Sequence, residues 1–161
     1  MIEHLRDIDI GPILECYHEL ENTIQWTEYS NKGKQVGLQY KNDEDPWSSA
    51  VGRSTGDELT SINLNPFFKN TIFEELINEF NLKKTRLMWV KPFACYTMHK
   101  DETLRIHIPL ITNPDCYFLF KYGTPVHLPI GKVYLVDTRK PHTFINCSEK
   151  PRLHLVGAKE I

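Results

Sequence analysis

The sequence predicts a mainly β fold, a sandwich or barrel with two helices packed on one outer face. Two observations lead there. Short apolar or alternating runs follow one another from Thr85 onward, at 86–91, 104–111, 116–122, 126–130, 132–137, 142–147 and 152–156. Before them stand two stretches whose apolar residues recur with helical spacing. In the first stretch Asp9 is placed to cap a helix, Pro12 falls in its first turn, and Ile10, Ile13, Leu14 and Tyr17 share a face, so the helix should end near Asn22. Residues 31–61 are polar and carry Gly33, Gly37, Pro46, Gly52 and Gly56, which reads as loops with a short hairpin. Ile72, Phe73, Leu76, Ile77 and Phe80 form the second face, predicting a helix over 71–82. Turn residues divide the later runs: Pro92, Asn113-Pro114, Gly123 with Pro125, Gly131, Lys140-Pro141 and 148–151. The chain reads as a single domain over 1–161, with a helical and loop part over 1–84 and the strands of the core over 85–157.

Bulk properties exclude several classes. A hydrophobic content of 40% with 25% charged residues suits a globular chain, and a net charge of -2 without blocks of like charge argues against nucleic acid as a partner. Residues 1–10 are polar rather than a secretory leader, and no run is apolar and long enough to cross a membrane. Cys16, Cys95, Cys116 and Cys147 are scattered without a Cys-x-x-Cys pair, so neither a zinc knot nor a disulfide framework is predicted. Reduced thiols in the cytoplasm are the expectation.

The chemistry-bearing residues cluster in the second half. His99-Lys100-Asp101 places a histidine and a carboxylate two residues apart, on one side of an extended chain, within reach of one metal ion. His142 follows after enough chain to build several strands and return. Two histidines and one carboxylate on one face of a metal leave three positions open, the arrangement of non-haem Fe(II) oxygenases. Along the last run Arg152, His154 and Val156 share a face, and an arginine inside a barrel calls for a fixed anion. In Arg105-Ile106-His107-Ile108-Pro109-Leu110 the polar residues alternate with apolar ones, so Arg105 and His107 face the barrel interior. There they meet either an interior carboxylate or a ligand's carboxylate.

Taken with 131–137, 142–146 and 151–156, these segments resemble the aspartyl/asparaginyl β-hydroxylase family of 2-oxoglutarate oxygenases, including its proline-hydroxylase-like members, over roughly 85–157. The resemblance implies a double-stranded β-helix, the cupin-like jelly roll, with the N-terminal helices packed on one sheet. It implies a dioxygenase (an oxidoreductase) hydroxylating an unactivated C–H with Fe(II), 2-oxoglutarate and O2. His99, Asp101 and His142 would be the iron ligands and catalytic centre. Arg152 would bind the far carboxylate of 2-oxoglutarate, and Arg105 and His107 would lie near its other end. Some members replace the carboxylate ligand by glycine, so Asp101 aligns this chain with the free-amino-acid branch. The implied substrate is a small molecule, a proline-like amino acid or a short peptide, with Trp47, Arg53 and Trp89 as pocket or lid residues. Three departures stand out. Only three residues separate Asp101 from Arg105, Met88 occupies a position where members carry a hydroxyl, and the chain stops at Ile161 just after the last strand. The last of these makes a lid from a second copy, in a homodimer, part of the expectation. The competing reading is a non-catalytic or 2-oxoglutarate-independent cupin-like metal-binding protein, in which Arg152 would pair with an acidic side chain or extra histidines would join the metal.

Overall fold

The computed structural model describes residues 1–49, 51 and 57–160. In chain order the elements are β1 (Ile2–Asp7), α1 (Gly11–Leu20), β2 (Thr27–Tyr29), β3 (Gly33–Gly37), β4 (Gln39–Tyr40), β5 (Asn63–Leu64), α2 (Ile72–Glu79), β6 (Lys83–Val90), β7 (Ala94–Cys95), β8 (Leu104–Ile111), β9 (Cys116–Phe120), β10 (Lys132–Val136), β11 (His142–Asn146) and β12 (Arg152–Lys159). A seven-stranded antiparallel sheet runs β1-β10-β8-β12-β6-β3-β2, and a three-stranded sheet runs β7-β11-β9. Two 3₁₀ turns, Glu58–Thr60 and Pro66–Phe68, punctuate the segment between β4 and α2.

The large sheet has two unlike faces. Ile106, Ile108 and Leu110 of β8, Leu87 of β6, Leu153 and Leu155 of β12 and Val133 of β10 point to one side. They pack there with Ile13 and Tyr17 of α1 and with Phe73, Leu76 and Ile77 of α2. Pro12 opens α1 in its first turn, where a missing N–H costs nothing. Glu74 and Glu75 lie in the first turn of α2, where the helix dipole favours negative charge. The opposite side of the sheet contributes Val90, Tyr134 and Val136 to a second core with Phe118, Phe144 and Leu128. This smaller core fills the space between the two sheets, and the polar side chains of β6, β8 and β12 share it.

The architecture differs from the sequence reading in particular places. Residues 1–84 supply not only the helices but also β1, β2 and β3 to the large sheet. β1 is an exposed edge strand pairing with β10, and its six residues lack an apolar alternation. β2 and β3 form a hairpin whose turn puts Ser30 and Asn31 at positive φ (49° and 56°), with the Lys32 amide bonded to Tyr29 O at 3.2 Å. The strand predicted over 126–130 is reduced to one bridge, Phe118 with Val126, before Pro129. Gly33 admits no side chain: a Cβ there would lie 1.8 Å from the Trp89 carbonyl oxygen.

Candidate metal centre and buried guanidinium

His99 stands after β7 and pairs with the first residue of β11. The His99 amide donates to His142 O, and the His142 amide donates to His99 O, both at 2.9 Å. The Asp101 amide donates to Thr138 O at 2.9 Å, pinning the third residue to the same turn. One ligand atom from each of His99, Asp101 and His142 then lies within 4.8 Å of the others, the sole such group of three or more among the described residues. His99 Nδ1 is 2.8 Å from Thr97 O, and His142 Nδ1 is 2.9 Å from Lys140 O. Each Nδ1 therefore carries the proton, and each Nε2 presents its lone pair to a metal. Phe118 stacks on the His142 ring at 5.1 Å and 11°, fixing its plane. Burial holds the His142 pKa below 6.5, keeping the ring neutral and able to ligate at neutral pH. Burial opposes ionisation of Asp101, but opposing charge, led by Arg105 and then Arg86, outweighs it and holds the carboxyl below its ordinary value.

These residues open into a small cleft between the sheets, lined also by Arg86, Met88, Tyr96, Phe144 and Arg152. Arg152, the first residue of β12, is 1% exposed. Its guanidinium carbon lies 3.1 Å from the Phe144 ring centroid, its Nη2 meets Nδ1 of His154, and its Nε has no partner. No aspartate or glutamate pairs with it among the described residues. Burial pushes its pKa well down, the sign of a cation with nothing to balance it. Beside it His107 Nδ1 and His154 Nε2 are also buried without partners, and burial drives both rings toward the neutral form. Buried polar atoms without partners are costly, and of the five among the described residues three belong to side chains that line this cleft, Tyr96, His107 and Arg152. The cleft lining carries three guanidiniums and one carboxylate, so it favours an anion.

The remaining sequence-predicted residues fall in different places. Arg105 and His107 do face the barrel interior, but Arg105 is held by carboxylates, Asp101 at 3.1 Å and Glu58 at 2.6 Å, rather than waiting for a ligand's. Trp89 has to be moved: it shares its face of β6 with Leu87, turns to the helix-covered core and donates to Tyr17 Oη at 3.1 Å. Trp47 is also in that core, 5.0 Å from the Phe67 ring. Neither tryptophan lines the cleft. Arg53 lies outside the described residues. Two further polar residues, Asn146 and Asp137, also lie outside the cleft lining: Asn146 Nδ2 donates to Lys150 O at 2.8 Å, and Asp137 pairs with Arg139 at 2.7 Å. Sequence reasoning passed over Arg86 and Glu58. Arg86 could have been found, because it alternates with Leu87 as Arg105 does with Ile106; Glu58 sits in an aperiodic polar stretch that carries no such signal.

A jelly roll that gathers two histidines and an aspartate in one cleft with a buried arginine lacking an acidic partner has the donor set of a candidate metal-binding β protein. The chain belongs to the aspartyl/asparaginyl β-hydroxylase family, whose model matches residues 15–158. L-Proline cis-4-hydroxylase of Rhizobium meliloti is 30% identical over 95 residues, which is 55% of this chain and 34% of that enzyme. The chain thus spans about a third of that curated relative's length. Among solved structures, a 2OG-Fe(II) oxygenase family oxidoreductase from Burkholderia pseudomallei superposes with a TM-score of 0.69 at 11% identity, covering 98% of this chain and 82% of that one. HygX from Streptomyces hygroscopicus, solved with nickel and 2-oxoglutarate, gives 0.60 at 10% identity, covering 99% and 83%. Likeness at these identities establishes the jelly-roll fold.

Proposed function

We propose that this single domain is an Fe(II)- and 2-oxoglutarate-dependent hydroxylase of a small substrate, a proline-like amino acid or a short peptide. The observation that carries this reading is the fully buried Arg152, without an acidic partner among the described residues, in the same cleft as the His99, Asp101 and His142 cluster. Two neutral imidazoles and a carboxylate are a donor set suited to Fe(II), and they leave part of its coordination to ligands from the cleft. The Arg152 guanidinium would hold the far carboxylate of 2-oxoglutarate through paired charge-assisted bonds, with the apolar Phe144 and Val156 excluding water around it. When bound, Fe(II) and 2-oxoglutarate supply the O2-dependent oxidation that yields succinate, CO2 and an alcohol. The chain's own residues orient the ligands and keep the pocket dry. Arg86 also lines the cleft and adds positive charge to it, which suits a small substrate carrying a carboxylate. The 30% identical relative named as a proline hydroxylase points the same way.

The competing metal-site reading, with extra histidine ligands, finds no support in the geometry. His107 and His154 lie against each other at 5.8 Å and do not join the metal group.

The test is the visible charge-transfer absorption that forms when Fe(II) and 2-oxoglutarate are added to metal-free protein under nitrogen. Asp101→Ala should abolish the band, and Arg152→Ala should weaken it at limiting 2-oxoglutarate. Succinate release would then be followed with proline, other amino acids and short peptides. Iron binding without the band would sink the 2-oxoglutarate reading.

A further inference from the structure

Each nitrogen of the Arg105 guanidinium donates to a side chain of the protein. Its Nε donates to Asp101 Oδ2 at 3.1 Å, its Nη1 to Thr103 Oγ1 at 2.8 Å, and its Nη2 to Glu58 Oε2 at 2.6 Å. The Thr103 hydroxyl in turn donates to Glu58 Oε1 at 2.6 Å, closing a ring of three side chains. Lys84 Nζ stands 3.6 Å from Glu58 Oε2. The ring is dry: the side chains of Arg105 and Glu58 are 3% and 6% exposed, against 20% for Asp101, so neither water nor salt screens it. Glu58 belongs to a 3₁₀ turn in the N-terminal half, 47 residues before Arg105, and the Asp57 carboxylate caps that turn by accepting from the Leu59 amide at 2.9 Å.

We infer that Glu58 is a positioning residue for the metal site, acting through Arg105 on the Asp101 carboxylate. The inference rests on the metal-centre reading above. A lone aspartate at the mouth of a cleft rotates freely about two bonds and loses that freedom when it ligates. Arg105 removes the freedom beforehand by holding Oδ2, and Glu58 with Thr103 fixes the plane of the guanidinium so that Nε, not another nitrogen, faces Asp101. Partners that orient ligands in this way are worth about 10–100-fold in metal affinity.

The experiment is a titration of metal-free protein with Co(II), read by its visible d–d bands, for wild type, Glu58→Gln, Thr103→Val and His99→Ala. The dissociation constant of 2-oxoglutarate is measured separately at saturating metal. Glu58→Gln is expected to weaken Co(II) binding by about 10-fold or more, at a 2-oxoglutarate affinity within about twofold of wild type. Thr103→Val, which removes the hydroxyl and no charge, should weaken Co(II) by a smaller factor at an unchanged melting temperature. Unaltered Co(II) affinity in folded Glu58→Gln overturns the inference and leaves the metal site standing. So does a 2-oxoglutarate affinity that falls while metal affinity holds, since that makes Arg105 a cosubstrate contact. If Glu58→Gln does not fold, Thr103→Val decides: weakened Co(II) binding supports the inference and unchanged binding overturns it. Wild type that binds no more Co(II) than His99→Ala overturns the metal-centre reading itself.

Discussion

The two faces of the seven-stranded sheet are built from the same strands and obey opposite rules. On the helix-covered face Leu87, Ile106, Ile108, Leu153 and Leu155 are at most 1% exposed and belong to one hydrophobic cluster. One residue away along each strand stand Arg86, Arg105, His107, Arg152 and His154, also buried, and all but His154 line the cleft. Burying a leucine stabilises a fold by roughly 2 kcal/mol, whereas a buried cation without a partner costs several. The first face therefore holds the molecule together, and the second is tolerated at the first one's expense. A polar face this costly has its physical justification in what it binds.

Substitutions of opposite sign on the two faces of β12 would break or sharpen this contrast. Arg152→Met keeps the volume and removes the charge. It should raise the dissociation constant of 2-oxoglutarate by about 100-fold or more, the loss expected when one member of a desolvated charge pair is removed. The melting temperature of the metal-free protein should stay level or rise, because replacing a buried cation by an apolar side chain is commonly neutral or stabilising. Isothermal titration and a thermal melt on the same sample check both halves, and a drop in melting temperature would show that Arg152 is a structural member of the core. Leu155→Ala, on the opposite face, should cost about 2–5 kcal/mol in urea unfolding. The protein that remains folded should bind 2-oxoglutarate within a few-fold of wild type.

The faces were unequally legible in the sequence. β8 was readable because six of its eight residues alternate cleanly and are buried on both sides, and the same parity placed Arg152 and His154 together. The metal group was readable because its three residues come from one short motif and one strand start. Trp89 was assigned to the cleft against its own parity: it is two residues from Leu87 and must share its face. β1 escaped because an exposed edge strand needs no apolar alternation, only a partner, and β10 supplies that partner from across the chain. Glu58 escaped for a deeper reason. Its role is set by Arg105, 47 residues on, and nothing local to Asp57-Glu58-Leu59 records that pairing.

A smaller effect follows from mass action. Ligands that bind only the folded cleft stabilise it, by about 2.7 kcal/mol at a hundredfold excess over the dissociation constant, or roughly 5–10 °C for a domain of this size. Adding Co(II) and 2-oxoglutarate together should produce that shift in wild type, while Arg152→Met should keep only the metal's share. Equal shifts in the two proteins would mean that the cosubstrate binds elsewhere.

The smallest effect concerns the acid limb of stability in the metal-free protein. Burial acts to raise the Glu58 pKa, but hydrogen bonding and charge from Arg105, the Thr103 hydroxyl and Lys84 outweigh it and hold the carboxyl below its ordinary 4.5. A depressed carboxyl contributes stability that is fully present above the unfolded value and lost as the pH falls through the folded one, because the unfolded chain takes up the proton first. Each unit of depression is worth about 1.4 kcal/mol. Urea midpoints taken from about pH 6 down to about pH 3 should therefore fall more steeply in wild type than in Glu58→Gln, which has no proton to gain at that position. Parallel curves would mean that the Glu58–Arg105 pair only offsets its own desolvation. The ring would then contribute nothing to folding, leaving the placement of Asp101 as its remaining effect.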